Sequence, residues 1–389
     1  MDRTGARRGL RGWSTAFAAA LADPGDTLPF MPQPQGFSDQ TITQLVRLRR
    51  GGSRLRLLLS NEFGPEPLVL DAVTARAASG GPRQPVLLGG RARWEIPPGA
   101  VAVSDPAAVP VAAGAELAVS CYVAGRAGAG AFLHSAQRSG RAVPGDQASG
   151  NGARDDDGDR AAGALAFPSL YWIARVLTDE PADGPVIVAL GDSVTRGDGT
   201  TADREQRYPD HLQARLVAAG RPGAVVLNAG IGGNRLLRPR VGPPMTERFD
   251  RDVLDIAEAT HVIIMGGIND LGLPGLLGEP RPGAGEIIDG LFSLARRGAK
   301  RGLQPVLGTV TPVIGRYAFL SAAGNEDIRQ AVNQAVLAQD DWPAADFAAA
   351  LADSADPARI AAAFDSGDGV HPGDAGASAL AGAVDLSLF

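Results

Sequence analysis

Apolar and polar positions alternate in two different ways along this chain. From about residue 30 to 178 the apolar residues come in short runs with a period of two, separated by turn residues. In RLRLLL, Leu55, Leu57 and Leu59 recur at every second position, which places them on one face of a strand. Gly51-Gly52 immediately before them is a hairpin signal, because glycine reaches positive φ without a steric penalty. Pro97-Pro98-Gly99 and Ala113-Gly114 punctuate later strands. Short strands with turns between them predict an all-β sandwich of jelly-roll-like type over 30–178, preceded by an N-terminal extension at 1–29.

After about residue 184 the pattern changes. The apolar runs VIVAL, AVVLNAG, HVIIMGG, PVLGTV and AADFA alternate with helical stretches. Between the first two lies PDHLQARLVAAG, with Pro209 suited to a first helical turn, Leu212 and Leu216 on one face, and Gly220 suited to the stop. Nearly continuous apolar strands alternating with helices predict a parallel sheet covered on both faces. The expectation for 184–389 is an α/β domain with a doubly wound, flavodoxin-like, three-layer arrangement. Neither an internal repeat nor a coiled-coil heptad is visible.

Composition narrows the classes. The chain has 389 residues, enough for two domains, and 44% apolar residues, enough for a sizeable core. No apolar stretch reaches the length of a membrane span. The net charge is −6 and no basic face stands out, which argues against nucleic acid as the main partner. Cys121 is the one cysteine, so there is no disulfide framework and no cysteine-based zinc site; in LAVSCYV it reads as a small strand residue facing a core. Asp155-Asp156-Asp157-Gly158-Asp159 lacks the ligand spacing of a calcium loop and reads as a solvated loop, and neither a metal nor a cofactor is expected. At the N-terminus Arg3, Arg7, Arg8 and Arg11 precede WSTAFAAALA, which is superficially like a secretory leader ending at Ala20-Leu21-Ala22. Its apolar part is short and broken by Ser14 and Thr15, so the reading leans to a cytoplasmic location, with secretion as the alternative. Oligomeric state is left open.

A doubly wound sheet carries its active site at the carboxyl ends of its strands. The first strand runs into Gly191-Asp192-Ser193, where glycine permits a sharp turn that exposes a hydroxyl. The second runs into Asn228-Ala229-Gly230-Ile231-Gly232-Gly233-Asn234, where a glycine lets a backbone N–H approach a ligand. The third runs into Gly266-Gly267-Ile268-Asn269-Asp270, which offers an amide side chain. Near the C-terminus, DSGDGVHP sets Asp368 three residues before His371. Of the four histidines, His134 lies in the β-rich half, His211 in a helix and His261 at the amino end of the third strand, so His371 is the well-placed general base. Asp192, Arg196 and Asp198 fit substrate orientation and loop bracing equally well.

These blocks resemble the GDSL or SGNH hydrolases, a family named for a serine, a glycine, an asparagine and a histidine in separate blocks. GDS at 191–193 looks like the first block, GIND at 267–270 like the third and DGVH at 368–371 like the last, with the block-two glycine falling best on Gly233. Each motif is short; it is their order and topological position that carry weight. The resemblance covers roughly 184–389. FSDQTITQLVRL, RLLLSNEFG and the early Trp13-xxx-Phe17 also look like actinobacterial-type GDSL proteins with an N-terminal β-domain.

The resemblance implies a serine esterase of short-chain carboxylic esters, carbohydrate O-acetyl esters among them, with a small-molecule or carbohydrate ester as its substrate. Ser193 is then the nucleophile, His371 its base and Asp368 the orienting acid, with Ser193, Gly233 and Asn269 donating to the oxyanion. Gly230 and Gly232 remain alternatives for the glycine donor. Lysophospholipase, lipase-like and acyltransferase activities occur in the same family, and a binding module on an inactive hydrolase-like scaffold is the rival of another class. The nucleophile elbow G-x-S-x-G, the dinucleotide loop G-x-G-x-x-G and a phosphate-loop lysine motif are all missing around Ser193.

Overall fold

The computed structural model describes residues 10–28, 31–149 and 163–389. The acidic cluster Asp155–Asp159 and the arginines Arg3, Arg7 and Arg8 lie outside the described residues. By contacts the chain divides into two units, Met1–Asp183 and Gly184–Phe389.

The first unit is all-β and antiparallel. A six-stranded sheet runs in the order Leu165–Phe167, Gly140–Pro144, Phe37–Arg47, Glu116–Ala127, Ala72–Ala77, Gln84–Pro85. A four-stranded sheet runs Ser14–Ala18, Ile173–Thr178, Leu55–Asn61, Ala100–Val103. The period of two does what it should: Leu55, Leu57 and Leu59 are fully buried. Phe37 meets the Tyr171 ring edge-on at 5.0 Å and the Trp172 ring at 5.5 Å, which fills the core with rigid area. Cys121 is fully buried opposite Ile42 and Val73, and burial pushes its thiol up to about 12, so it behaves as an inert core residue.

One element differs from the sequence reading. Residues 14–18, placed there in an extension at 1–29, form an edge strand antiparallel to Ile173–Thr178, with a bulge between Thr15 and Phe17. The reason is that Ile173–Thr178 pairs with Leu55–Asn61 on one side only, and the early segment satisfies its other edge. The leader-like Ala20-Leu21-Ala22 is buried and Ala22 bridges Phe132, while the Arg56 guanidinium lies 4.9 Å from the centroid of the Trp13 ring. Among the described residues no helix is long and apolar enough to cross a membrane.

The second unit is a five-stranded parallel sheet: β1 (Val186–Gly191), β2 (Val225–Gly230), β3 (His261–Ile264), β4 (Gln304–Gly308) and β5 (Ala344–Ala345). Their order is β2-β1-β3-β4-β5, that of a flavodoxin-like doubly wound sheet. Every residue of β1 is buried. Ile187 and Ala189 join one core with Leu212, Leu216 and Leu380, whereas Val188 and Leu190, which point to the opposite face, are equally buried. Both faces are therefore covered, which is why the strands read as unbroken apolar runs. The helices are α1 (Ser193–Arg196), α2 (Tyr208–Ala218), α3 (Met245–Phe249), α4 (Ile268–Leu277), α5 (Ala284–Lys300), α6 (Asn325–Ala338), α7 (Phe347–Leu351) and α8 (Asp374–Ala383). In α2, Pro209 sits in the first turn and Asp210 accepts from the Arg207 backbone N–H at 3.1 Å, tying off the start of the helix.

Candidate active site

β1 ends at Gly191, and Asp192 caps the short turn α1 by accepting from the Val194 N–H at 3.0 Å. Gly191 is needed for space rather than for a left-handed turn. A Cβ there would strike Thr195 Oγ1 and the Met265 carbonyl, and its φ is not positive. Ser193 begins the turn and is 6% exposed.

The loop before α8 brings the acid and the histidine to that serine. Asp368 Oδ1 accepts from the backbone N–H groups of Val370 at 2.9 Å and His371 at 2.8 Å, which tightens the loop around the carboxylate. Its Oδ2 lies 2.6 Å from His371 Nδ1. His371 Nε2 lies 2.9 Å from Ser193 Oγ, although the two residues are 178 positions apart. Burial pushes the His371 pKa down, but the hydrogen bond to Asp368 and the charges of Asp198 and Asp368 outweigh it, and the net direction is upward. For Asp368, burial pushes up, but the His371 contacts and two backbone N–H donors hold the carboxyl down to about 2. Burial, and after it the charge of Asp368, raises the pKa of Tyr317, from the loop after β4.

The glycine block and the asparagine also meet. Gly233 adopts a left-handed φ of +75°, which turns the chain after β2. Asn269, at the start of α4, donates its side-chain amide to the Asn234 carbonyl at 3.0 Å. Of the alternative glycines, the Gly230 N–H is engaged by the Asn228 side chain at 2.9 Å. Gly232 lies against the Arg196 guanidinium, where a Cβ would collide. Arg196 is buried and bonds Asp198 at 2.7 Å, so this pair braces the loop, and Asp192 serves as a cap. The remaining histidines are elsewhere: His134 is buried in the first unit, His211 lies in α2, and His261 is tied to Thr260 at 2.8 Å and the Leu388 carbonyl at 2.9 Å.

Two charged residues escaped the sequence reading. Arg248, at the end of α3, is fully buried and donates to Gly191 O at 2.7 Å, Ala229 O at 2.8 Å and Asn234 Oδ1 at 2.9 Å. Asp270 was visible in GIND, but its work was not. Its carboxylate accepts from the Leu236 and Leu237 N–H groups at 2.7 and 3.0 Å, holding the chain beyond the glycine block, and burial pushes its pKa up to about 6. Arg248 sits four residues from an aspartate, Asp252, in a charged stretch, RFDRD, that reads as solvated helix surface. Nothing local in that stretch marks Arg248 as a buried bridge rather than a solvated partner of Asp252.

A serine in line with a histidine and an aspartate, at the strand ends of a doubly wound sheet, is the arrangement of a serine hydrolase. Residues 189–379 match the GDSL-like Lipase/Acylhydrolase family, and the C-terminal unit is a domain of that family. A curated relative, named uncharacterized lipoprotein YqeF, from Bacillus subtilis (strain 168), is 33% identical over 133 residues, which is 33% of this chain and 49% of the relative. The chain thus spans about half the length of that relative. Among solved structures, a GDSL-like lipase from Bacteroides thetaiotaomicron VPI-5482 is similar at 17% identity, covering 51% of this chain and 84% of that one with a TM-score of 0.39. A lipase/acylhydrolase from Enterococcus faecalis is similar at 20% identity, covering 51% and 92% with a TM-score of 0.38. A carbohydrate acetylesterase from Sinorhizobium meliloti is similar at 17% identity, covering 51% and 94% with a TM-score of 0.38.

Proposed function

We propose that this protein is a serine esterase that hydrolyses carboxylic esters through an acyl-enzyme. The observation that carries the reading is the relay from Asp368 through His371 to Ser193, at 2.6 and 2.9 Å. His371 takes the Ser193 proton as the oxygen attacks the ester carbonyl, and Asp368 fixes the ring and stabilises the imidazolium. The carbonyl oxygen becomes an oxyanion that accepts from the backbone N–H groups of Ser193 and Gly233 and from the Asn269 amide. His371 then returns the proton to the departing alkoxide, which leaves as the alcohol. It next takes a proton from the water that attacks the acyl carbon and passes it to the Ser193 oxygen as the carboxylic acid departs, which restores the free serine.

The substrate class in this proposal is a short-chain ester of a small molecule or a carbohydrate. A panel of p-nitrophenyl esters of rising chain length, with acetylated sugars beside it, tests this. Hydrolysis that peaks at the acetyl ester and disappears in Ser193→Ala is the expected result. Rates that climb with chain length would overturn the short-chain part, and undiminished hydrolysis by Ser193→Ala would overturn the assignment of the nucleophile.

A further inference from the structure

Ser193 and Gly233 leave the sheet from neighbouring strands, so something must fix the separation of the two turns. Arg248 joins them. Its Nη2 donates to the carbonyl of Gly191, two residues before the serine, at 2.7 Å. Its Nη1 donates to the Ala229 carbonyl at the end of β2 at 2.8 Å. Its Nε donates to the Asn234 side chain at 2.9 Å, and the Asn234 carbonyl is the acceptor of the Asn269 amide. The fourth bond goes to Asp252 at 2.8 Å, a carboxylate that Arg251 also holds at 2.6 and 3.0 Å. The helix that carries Arg248 passes directly into a π-helical turn, Asp250–Leu254, a rare distortion that is frequent at functional sites.

We propose that Arg248 is a positioning residue for the esterase reaction, locking the Ser193 turn, the Gly233 turn and Asn269 into one rigid cradle for the oxyanion. This rests on the serine-esterase reading above. Only arginine suits the place. Its planar fork aims donors in several fixed directions, whereas a lysine ammonium offers one compact charge that cannot reach acceptors on three segments. The ion pair with Asp252 supports Arg248 from behind, and that carboxylate's hydrogen bonds run to Arg248 and Arg251, so its removal should affect stability and leave the cradle in place.

The test compares Arg248→Lys, Asn234→Ala and Asp252→Asn in the full chain, each with its thermal melt, kcat, KM and pH profile on p-nitrophenyl acetate. Arg248→Lys should lower kcat about 10²-fold, the size of effect that follows a misplacement of about 1 Å. KM and the midpoint of the acidic limb should stay put, because Arg248 touches neither substrate nor the His371–Asp368 pair. Asn234→Ala, which cuts the Arg248 connection together with the Asn234 amide's bonds to the Val241 and Pro243 carbonyls and serves if the lysine variant does not fold, should lower kcat about tenfold at unchanged KM. Asp252→Asn should melt lower and keep its kcat. Wild-type kcat in Arg248→Lys or in Asn234→Ala, or an equal rate loss in Asp252→Asn, would overturn the proposal while leaving the esterase reading intact. A wild-type protein that neither hydrolyses esters nor forms a fluorophosphonate adduct at Ser193 would overturn the reading itself, and this proposal with it.

Discussion

The two units bury polar side chains in different ways. In the N-terminal unit the buried amides of Gln44 and Asn61 end on backbone, and the Thr43 and Ser120 hydroxyls meet each other at 2.9 Å. Gln44 accepts from the Tyr171 N–H at 2.6 Å and donates to the Tyr171 carbonyl at 3.0 Å, and Asn61 donates to the Ile96 carbonyl at 3.0 Å. In the C-terminal unit the polar residues at the strand ends lead to one another: Asp368 to His371 to Ser193, and Arg248 to Asn234, whose carbonyl receives the Asn269 amide. Topology explains the contrast. An antiparallel ladder sends successive loops to opposite ends, so a buried amide there finds mainly a neighbouring chain to pin. A parallel sheet in the order β2-β1-β3-β4-β5 delivers its carboxyl-end loops to one edge, where side chains far apart in sequence converge. Chemistry collects where loops collect.

The contrast can be broken in four places. Ser193→Ala should reduce ester turnover by at least about 10⁴-fold and leave the denaturation curve of the chain nearly unchanged, as measured by steady-state kinetics and circular dichroism. Phe37→Ala, in the aromatic core of the first unit, should do the reverse. Loss of a buried ring costs about 3–5 kcal/mol of stability, visible in urea unfolding, while the folded fraction retains its kcat and KM. Asn269→Ala should slow turnover by about 10²–10³-fold with an intact fold, the usual consequence of losing one oxyanion donor. A near-native rate in that variant would detach the third block from the reaction.

The smallest effect is on pH. His371 acts as a base only when neutral, and its pKa is held above the ordinary value of 6.5. The acidic limb of kcat/KM in the wild-type protein should therefore have its midpoint above 6.5, with activity lost as pH falls through it. Asp368→Asn removes the carboxylate that raises the imidazole, so the residual activity of that variant should show a limb displaced to lower pH. A limb that stays in place would separate Asp368 from the histidine it contacts.

The parts of the molecule that were legible in the sequence share one property: locality. β1 to β4 stand out because both faces are buried, which leaves runs such as VIVAL unbroken by polar residues. Asp368 and His371 stand out because three positions separate them, and the same carboxylate organises the turn that joins them. What was not legible depends on distant partners. Ser14–Ala18 becomes a strand because Ile173–Thr178 has an open edge, and nothing local in STAFA announces that. Arg248 looks like a surface arginine paired four residues on, and only the arrival of the ends of β1 and β2 above it makes it a buried bridge. Gly191 was read for its turn, yet its small size answers to Thr195 and to the strand next door, a contact the sequence does not reveal.

The central claim is that Ser193 Oγ is made nucleophilic by His371. Treatment with a fluorophosphonate, followed by mass mapping of the adduct, tests it most directly. The account predicts rapid modification at Ser193 in the wild-type protein and loss of nearly all labelling in His371→Ala, with both proteins folded. An adduct on another residue, or labelling at Ser193 that proceeds at the same rate without His371, would contradict it.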